Sequence, residues 1–102
     1  MAWYAYLLVA LSGMLLTNGV PHFVRGLCGQ PFPSPFARPP GIGDSSPLVN
    51  VYWGFANLAG GAALFMRFPP AAAIGWGVFS AGCLLMGTQL ARHFDRVRSR
   101  AA

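Results

Sequence analysis

Residues 47–90 read "PLVNVYWGFANLAGGAALFMRFPPAAAIGWGVFSAGCLLMGTQL" and contain two long apolar runs separated by the short sequence "RFPP". Neither run has a charged residue in its central turns. A helix of about twenty residues is about 30 Å long, which matches the hydrocarbon core of a bilayer. Because "RFPP" is too short for anything except a tight turn, this stretch predicts two antiparallel helices that span a membrane.

A third apolar run, "MAWYAYLLVALSGMLLTNGV", occupies residues 1–20. It lacks the basic start and the small-residue cleavage site of a secretory signal peptide, so we expect an uncleaved anchor. Pro21 is expected to end or kink this helix, although the apolar pattern continues to Leu27. At the start of the second helix, Ser46 is the predicted N-cap and Pro47 is the predicted first helical residue.

These runs predict an all-α fold, an integral membrane bundle of three transmembrane helices in a single domain, residues 1–102. The helices are expected at about 2–20, 47–67 and 71–91, with a Pro/Phe-rich loop at 28–46 and a basic tail at 92–102. Composition agrees, since 55% of the residues are hydrophobic and only 9% are charged. Soluble domains contain about 25% charged residues.

The arginines predict the orientation. Six of the seven fall on the side of the predicted loop and tail: Arg25, Arg38, Arg92, Arg96, Arg98 and Arg100. Only Arg67 falls on the other side, so the positive-inside rule predicts a cytoplasmic loop and C-terminus and an external N-terminus in the inner (plasma) membrane. Because topology accounts for the basic charge, we expect no nucleic-acid binding.

The second helix carries a small and polar stripe. Asn50, Gly54, Asn57 and Gly61 are spaced i, i+4, i+7 and i+11, which puts them on one face. Such a face is typical of close helix packing, either within the bundle or between protomers. The alternative is a polar path for a solute through an oligomer, lined by Asn50, Asn57 and Gln89 of the third helix.

A second polar group is predicted at the cytoplasmic ends of the first and third helices. It consists of Asn18, His22, Arg25 and His93, which are expected at a similar depth in the membrane. Arginine suits phosphate, so contact with an anionic lipid headgroup is one hypothesis. The alternative is that both histidines are ordinary interfacial residues. The spacing of His and Cys residues does not favour a metal or haem, so we assign no metal-binding residue and no cofactor.

The sequence contains no nucleophile–base pair, phosphate loop or paired carboxylates, so no catalytic residue is assigned and an enzyme is not expected. Its proline-rich segment "GQPFPSPFARPPG" predicts extended backbone in a surface loop that folds over the helix ends. A lid over a pocket, a partner-binding strip and a plain connector remain alternatives for this loop.

The hairpin "NLAGGAALFMRFPPAAAIGWGVFSAGCLL" (57–85) resembles the central hairpin of DoxX-like small bacterial membrane proteins, and "NGVPHFVRG" (18–26) is similar to the end of their first helix. The resemblance implies a bacterial inner membrane and a loose link to redox or stress assemblies. Those proteins usually have four spans, whereas this chain has three apolar runs. The resemblance assigns no functional residue here.

From these features we expect a non-catalytic membrane protein that acts by helix association, as a homo-oligomer or as an accessory subunit of a larger membrane complex, in contact with anionic lipids. Two alternatives remain open. The first is a small transporter or channel formed by oligomers. The second is a lipid- or quinone-binding protein that uses His22, Arg25 and the Pro/Phe-rich loop.

Overall fold

The computed structural model describes residues 2–101, which form three helices and a folded loop. The helices are α1 (Trp3–Leu27), α2 (Pro47–Arg67) and α3 (Ala72–Ala101), and the loop contains two short strands, β1 (Phe32–Pro33) and β2 (Asp44–Ser45). Met1 and Ala102, the ends of the predicted domain, lie outside the described residues. The predicted all-helical class is confirmed, and each helix is long and apolar enough to cross a membrane.

Helix α1 is longer than the sequence predicts, because it passes through Pro21 and ends at Leu27. An interior proline removes one backbone hydrogen bond and costs about 3 kcal/mol. Packing of the following turns offsets this cost, since His22 and Gly26 are both buried. The helix stops where Gly29 adopts a φ of 70°, a conformation that favours glycine.

The hydrogen bonds at this end form a Schellman motif. The amide of Gly29 donates to the carbonyl of Gly26, and the amide of Gln30 donates to that of Arg25, both at 3.0 Å. The sequence signal for the end of α1 is therefore the glycine at 29, followed two residues later by Pro31, and not Pro21.

Helix α2 begins as predicted. The Ser46 hydroxyl accepts a hydrogen bond from the amide of Val49 at 3.2 Å, and Pro47 occupies the first helical position. Helix α3 differs from the prediction at its end, because the basic tail continues the helix to Ala101. Arginine is a good helix former, and no glycine or proline interrupts residues 91–101.

Helix α1 packs against both α2 and α3, so it lies at the centre of the bundle. The stripe on α2 faces α1: a Cβ added at Gly54 would lie 2.5 Å from the backbone nitrogen of Phe23, and one added at Gly61 would lie 2.8 Å from Cγ of Leu16. On the α3 side, a Cβ at Gly13 would lie 2.6 Å from the carbonyl oxygen of Phe79. The small residues therefore allow the backbones to approach closely inside one chain.

The Pro/Phe-rich loop folds against the helix ends as a short antiparallel hairpin, in which Phe32 pairs with Ser45 and Pro33 with Asp44. The hydroxyls of Ser34 and Ser45 are hydrogen-bonded to each other and buried. Phe32 is also buried, whereas Phe36 is 64% exposed. The loop thus inserts one aromatic ring among the helices and leaves the other outside.

Candidate functional site

A hydrogen bond between His22 of α1 and Asn50 of α2 lies at the centre of the polar cluster. Nδ1 of His22 is 2.8 Å from Oδ1 of Asn50, and both side chains are buried. An amide oxygen can only accept a hydrogen bond, so the His22 ring carries a proton on Nδ1. In the neutral imidazole, Nε2 is then a hydrogen-bond acceptor.

The loop determines the orientation of the Asn50 amide. Its Nδ2 donates to the carbonyl oxygens of Phe32 at 2.9 Å, Ser46 at 3.1 Å and Ser45 at 3.3 Å. These acceptors share the two amide hydrogens, which leaves Oδ1 to accept from His22. Asn50 therefore joins α1, α2 and the loop through a single side chain.

A second amide pair lies farther from the loop in the same interface. Nδ2 of Asn18 donates to Oδ1 of Asn57 at 2.9 Å, and Nδ2 of Asn57 donates to the carbonyl oxygen of Trp53, also at 2.9 Å. The hydrogen bonds of Asn57 are thus made inside the chain, within α2 and to α1.

Three aromatic side chains from different elements surround the His22 ring. Its centroid lies 5.3 Å from that of Phe32 in the loop, 6.3 Å from Phe94 in α3 and 6.5 Å from Trp53 in α2. All three pairs meet edge to face, a favourable arrangement for aromatic rings. The imidazole therefore lies in largely apolar surroundings.

His93 ties α3 to the loop on the other side of this cluster. Its Nε2 is 2.7 Å from the carbonyl oxygen of Gly41, and since a carbonyl only accepts, Nε2 carries the proton. The ring also packs against Phe94, with centroids 5.1 Å apart. The two histidines thus belong to one cluster, although they lie on different helices.

An open cavity of about 160 Å³, named here the inner cavity, lies beside both histidines. It is lined by Asn18, His22, Pro33, Ser34, Pro35, Gly41, Trp53, Leu90, His93 and Phe94. Nε1 of Trp53 is buried and has no hydrogen-bond partner among the described residues. A buried N–H without an acceptor is rare and costs about 1–3 kcal/mol, so this donor requires an explanation.

Two larger cavities are both lined by the Phe32–Phe94 pair, whose centroids are 4.5 Å apart. The loop cavity, of about 320 Å³, extends between the loop and α3, and the α1–α3 groove, of about 360 Å³, follows those two helices. Arg25 and Arg98 line both. Nη1 of Arg25 donates to Oε1 of Gln30 at 2.6 Å, which orients its guanidinium.

The predicted headgroup set is divided by the structure. Asn18, His22 and His93 line the inner cavity, whereas Arg25 lines the loop cavity and the α1–α3 groove. The residues predicted to line a polar path, Asn50, Asn57 and Gln89, are separated as well. Asn50 and Asn57 are buried between α1 and α2, whereas Gln89 is on the exposed surface of α3.

The residues of the site that lie outside both predicted sets include Trp53, Phe94 and Arg98. A signal existed for Trp53, since it follows Asn50 by three residues and precedes Asn57 by four, which places it near the same helix face. Phe94 and Arg98 belong to the basic tail, and although its residues favour helix, no local pattern shows that they line a cavity with the loop and α1.

Within residues 2–101, no group of three His, Cys, Asp or Glu side chains is arranged to hold a metal ion. No family model matches the chain, and neither a curated protein nor a solved structure matches it significantly. The DoxX-like resemblance therefore stays a prediction, and the site itself has to suggest the function.

Proposed function

We propose that this protein crosses the bacterial inner membrane three times and binds a membrane-soluble hydroxylated aromatic ring, such as that of a quinol, in the inner cavity. The proposal takes up the quinone-binding alternative from the sequence. It describes a binding protein whose ligand reaches the site from the bilayer.

The surface of the helices supports insertion in a membrane. Large apolar side chains are exposed along α2 and α3, including Tyr52 (65%), Met66 (81%) and Leu84 (72%). Apolar side chains of this size and number are costly to expose to water, whereas lipid is a favourable solvent for them. The arginine asymmetry supports a cytoplasmic position for the loop, the C-terminus and the inner cavity.

The observation that carries the binding proposal is that Trp53 and His22, whose rings offer a donor and an acceptor, both line one apolar cavity. Nε1 of Trp53 is buried and has no hydrogen-bond partner within residues 2–101, and neutral His22 offers Nε2 as an acceptor. A phenolic hydroxyl is complementary to both, because its oxygen can accept from Nε1 of Trp53 while its O–H donates to Nε2 of His22. Such a ligand would remove the cost of the unpaired donor.

The size of the cavity favours a single ring. A protein cavity of about 150 Å³ holds one benzene molecule, and the inner cavity measures about 160 Å³. Its aromatic walls, Phe94 and Trp53, suit a flat ring, and the apolar remainder of a quinol would extend toward the bilayer.

Helix association, the function favoured by the sequence, receives no support from the stripe on α2, because its small residues and asparagines pack inside the bundle. A polar transport path receives none from Gln89, which is exposed. Both remain separate hypotheses that an oligomer or a flux measurement would test.

The fluorescence of Trp53 itself can report binding. In a W3F/W76F variant, Trp53 is the only tryptophan, and we expect a saturable change in its fluorescence when 4-ethylphenol is added to the protein in detergent. Ethylbenzene, which has the same ring without the oxygen, should bind at least about tenfold more weakly, since it cannot satisfy either polar group.

A W3F/W53F variant is the matched control, because its remaining Trp76 packs against Phe65 and Phe79, away from the inner cavity. Its fluorescence should not change in a saturable manner. Equal responses of Trp53 and Trp76, or equal affinities for 4-ethylphenol and ethylbenzene, would contradict the proposal.

A further inference from the structure

We infer that the α1–α3 groove binds one anionic glycerophospholipid, with the phosphate between Arg25 and Arg98. This second site is separate from the inner cavity and does not require the ring ligand to be bound. It goes beyond the predicted headgroup set because it uses Arg98 and excludes both histidines.

The two arginines come from different helices and line the same spaces. Arg25 is in the last turn of α1, and Arg98 is near the end of α3. Both line the groove, and both line the loop cavity beside it. Guanidinium groups bind phosphate oxygens through paired N–H donors, so two of them facing one space are complementary to a phosphodiester.

Arg25 is held in place before any ligand binds. Its guanidinium donates to the neutral amide of Gln30 and lies over the ring of Phe32, 5.8 Å from the centroid. Neither contact neutralises the positive charge. A pre-oriented guanidinium loses less side-chain entropy on binding an anion.

The rest of the groove distinguishes a lipid from free phosphate. Its walls include Pro21, Ala91 and Phe94, which form an apolar surface between the two helices. Ala91 is exposed, so this surface is open to the surroundings of the bundle. An acyl chain fits such a surface, whereas inorganic phosphate would leave it uncovered.

Asp95 also lines the groove and limits the charge of the ligand. Two arginines and one aspartate leave one net positive charge, which suits a headgroup with a single phosphodiester. The Asp95 carboxylate can accept a hydrogen bond from a headgroup hydroxyl. Phosphatidylglycerol supplies both features, whereas a headgroup with an additional phosphate would be repelled by Asp95.

The test measures retained lipid by native mass spectrometry of the full chain, after incubation in detergent with phosphatidylglycerol or phosphatidylcholine of identical acyl chains. We expect one tightly held phosphatidylglycerol and at least about tenfold less phosphatidylcholine. The substitutions R25Q and R98Q should each lower the phosphatidylglycerol-bound fraction at least about threefold.

R96Q is the matched control, because it removes the same charge from the same helix without touching the groove or the loop cavity. The Arg98 side chain is exposed, so R98Q is expected to fold normally. Undiminished phosphatidylglycerol on R98Q, or an equal loss on R96Q, would overturn the inference. Displacement of the lipid by millimolar inorganic phosphate would also overturn it, since the site would then recognise phosphate alone.

Discussion

Oδ1 of Asn50 accepts a hydrogen bond from Nδ1 of His22 across 2.8 Å, although the two residues are 28 positions apart in the chain. The amide nitrogen of Asn50 simultaneously holds the loop through backbone carbonyls, the closest being that of Phe32. One side chain therefore sets the tautomer of His22 and holds the loop in position.

Replacing Asn50 by Leu should lower the free energy of unfolding by about 2 kcal/mol, because His22 and several loop carbonyls would lose their partner. The measurement is denaturant unfolding in detergent, followed by circular dichroism. Q89L is the control, and since Gln89 is exposed, its effect should stay within about 0.5 kcal/mol. Similar stabilities for N50L and Q89L would show that Asn50 does not hold the fold.

Replacing Gly54 by Ala should destabilise the bundle by about 1–3 kcal/mol. The new Cβ would lie 2.5 Å from the backbone nitrogen of Phe23, so α1 and α2 would have to move apart. G77A is the matched control, because a Cβ at Gly77 has no neighbour within 4 Å among the described residues and alanine is the better helix former. We expect G77A to be neutral or slightly stabilising, and the same unfolding assay compares the two. A destabilised G77A with an unchanged G54A would contradict the described α1–α2 contact.

Replacing Trp53 by Phe should weaken the thermal stabilisation that 4-ethylphenol produces. At a concentration ten times its dissociation constant, a ligand stabilises the folded state by about 1.4 kcal/mol. Loss of one hydrogen bond would weaken binding about tenfold and reduce this stabilisation to about 0.4 kcal/mol. W76F should retain the full effect, because Trp76 does not line the inner cavity. An equal ligand-induced shift of the melting temperature in W53F and W76F would show that Trp53 takes no part in binding 4-ethylphenol.

Cys28 provides a native test of orientation, since it is an exposed thiol where α1 joins the loop, whereas Cys83 lies within α3. If the loop is cytoplasmic, a membrane-impermeant maleimide should label Cys28 in inside-out vesicles and leave it unlabelled in spheroplasts. A C28S variant identifies any signal that comes from Cys83. Labelling of Cys28 in spheroplasts would reverse the proposed topology.

Local signals account for the elements that were predicted correctly. The apolar runs and "RFPP" predict the α2–α3 hairpin, and Ser46 with Pro47 predicts the start of α2. These signals act over a few residues, through hydrogen bonding of the cap and fixed backbone angles. The same local reasoning misplaced the end of α1, because the cost at Pro21 is offset by packing against residues distant in the chain.

The site was only partly predictable for a related reason. Periodicity identifies which residues share a helix face, so Asn50 and Asn57 were found together. It does not say what that face contacts, nor that a loop aromatic such as Phe32 inserts between helices. The bond from His93 to the carbonyl of Gly41 joins residues 52 positions apart, and no local pattern contains it.

The amino-acid sequence by itself determined three long apolar helices, the hairpin turn and a small, polar face on α2, because each follows from the order of neighbouring side chains and their spacing. The tertiary structure alone decided that this face packs on α1, that Arg25 and Arg98 line the same cavities, and that the buried N–H of Trp53 has no acceptor in the part of the chain that the structure describes. Those outcomes depend on packing between distant segments, where the close approach allowed by glycine and the need to pair buried polar groups select one arrangement.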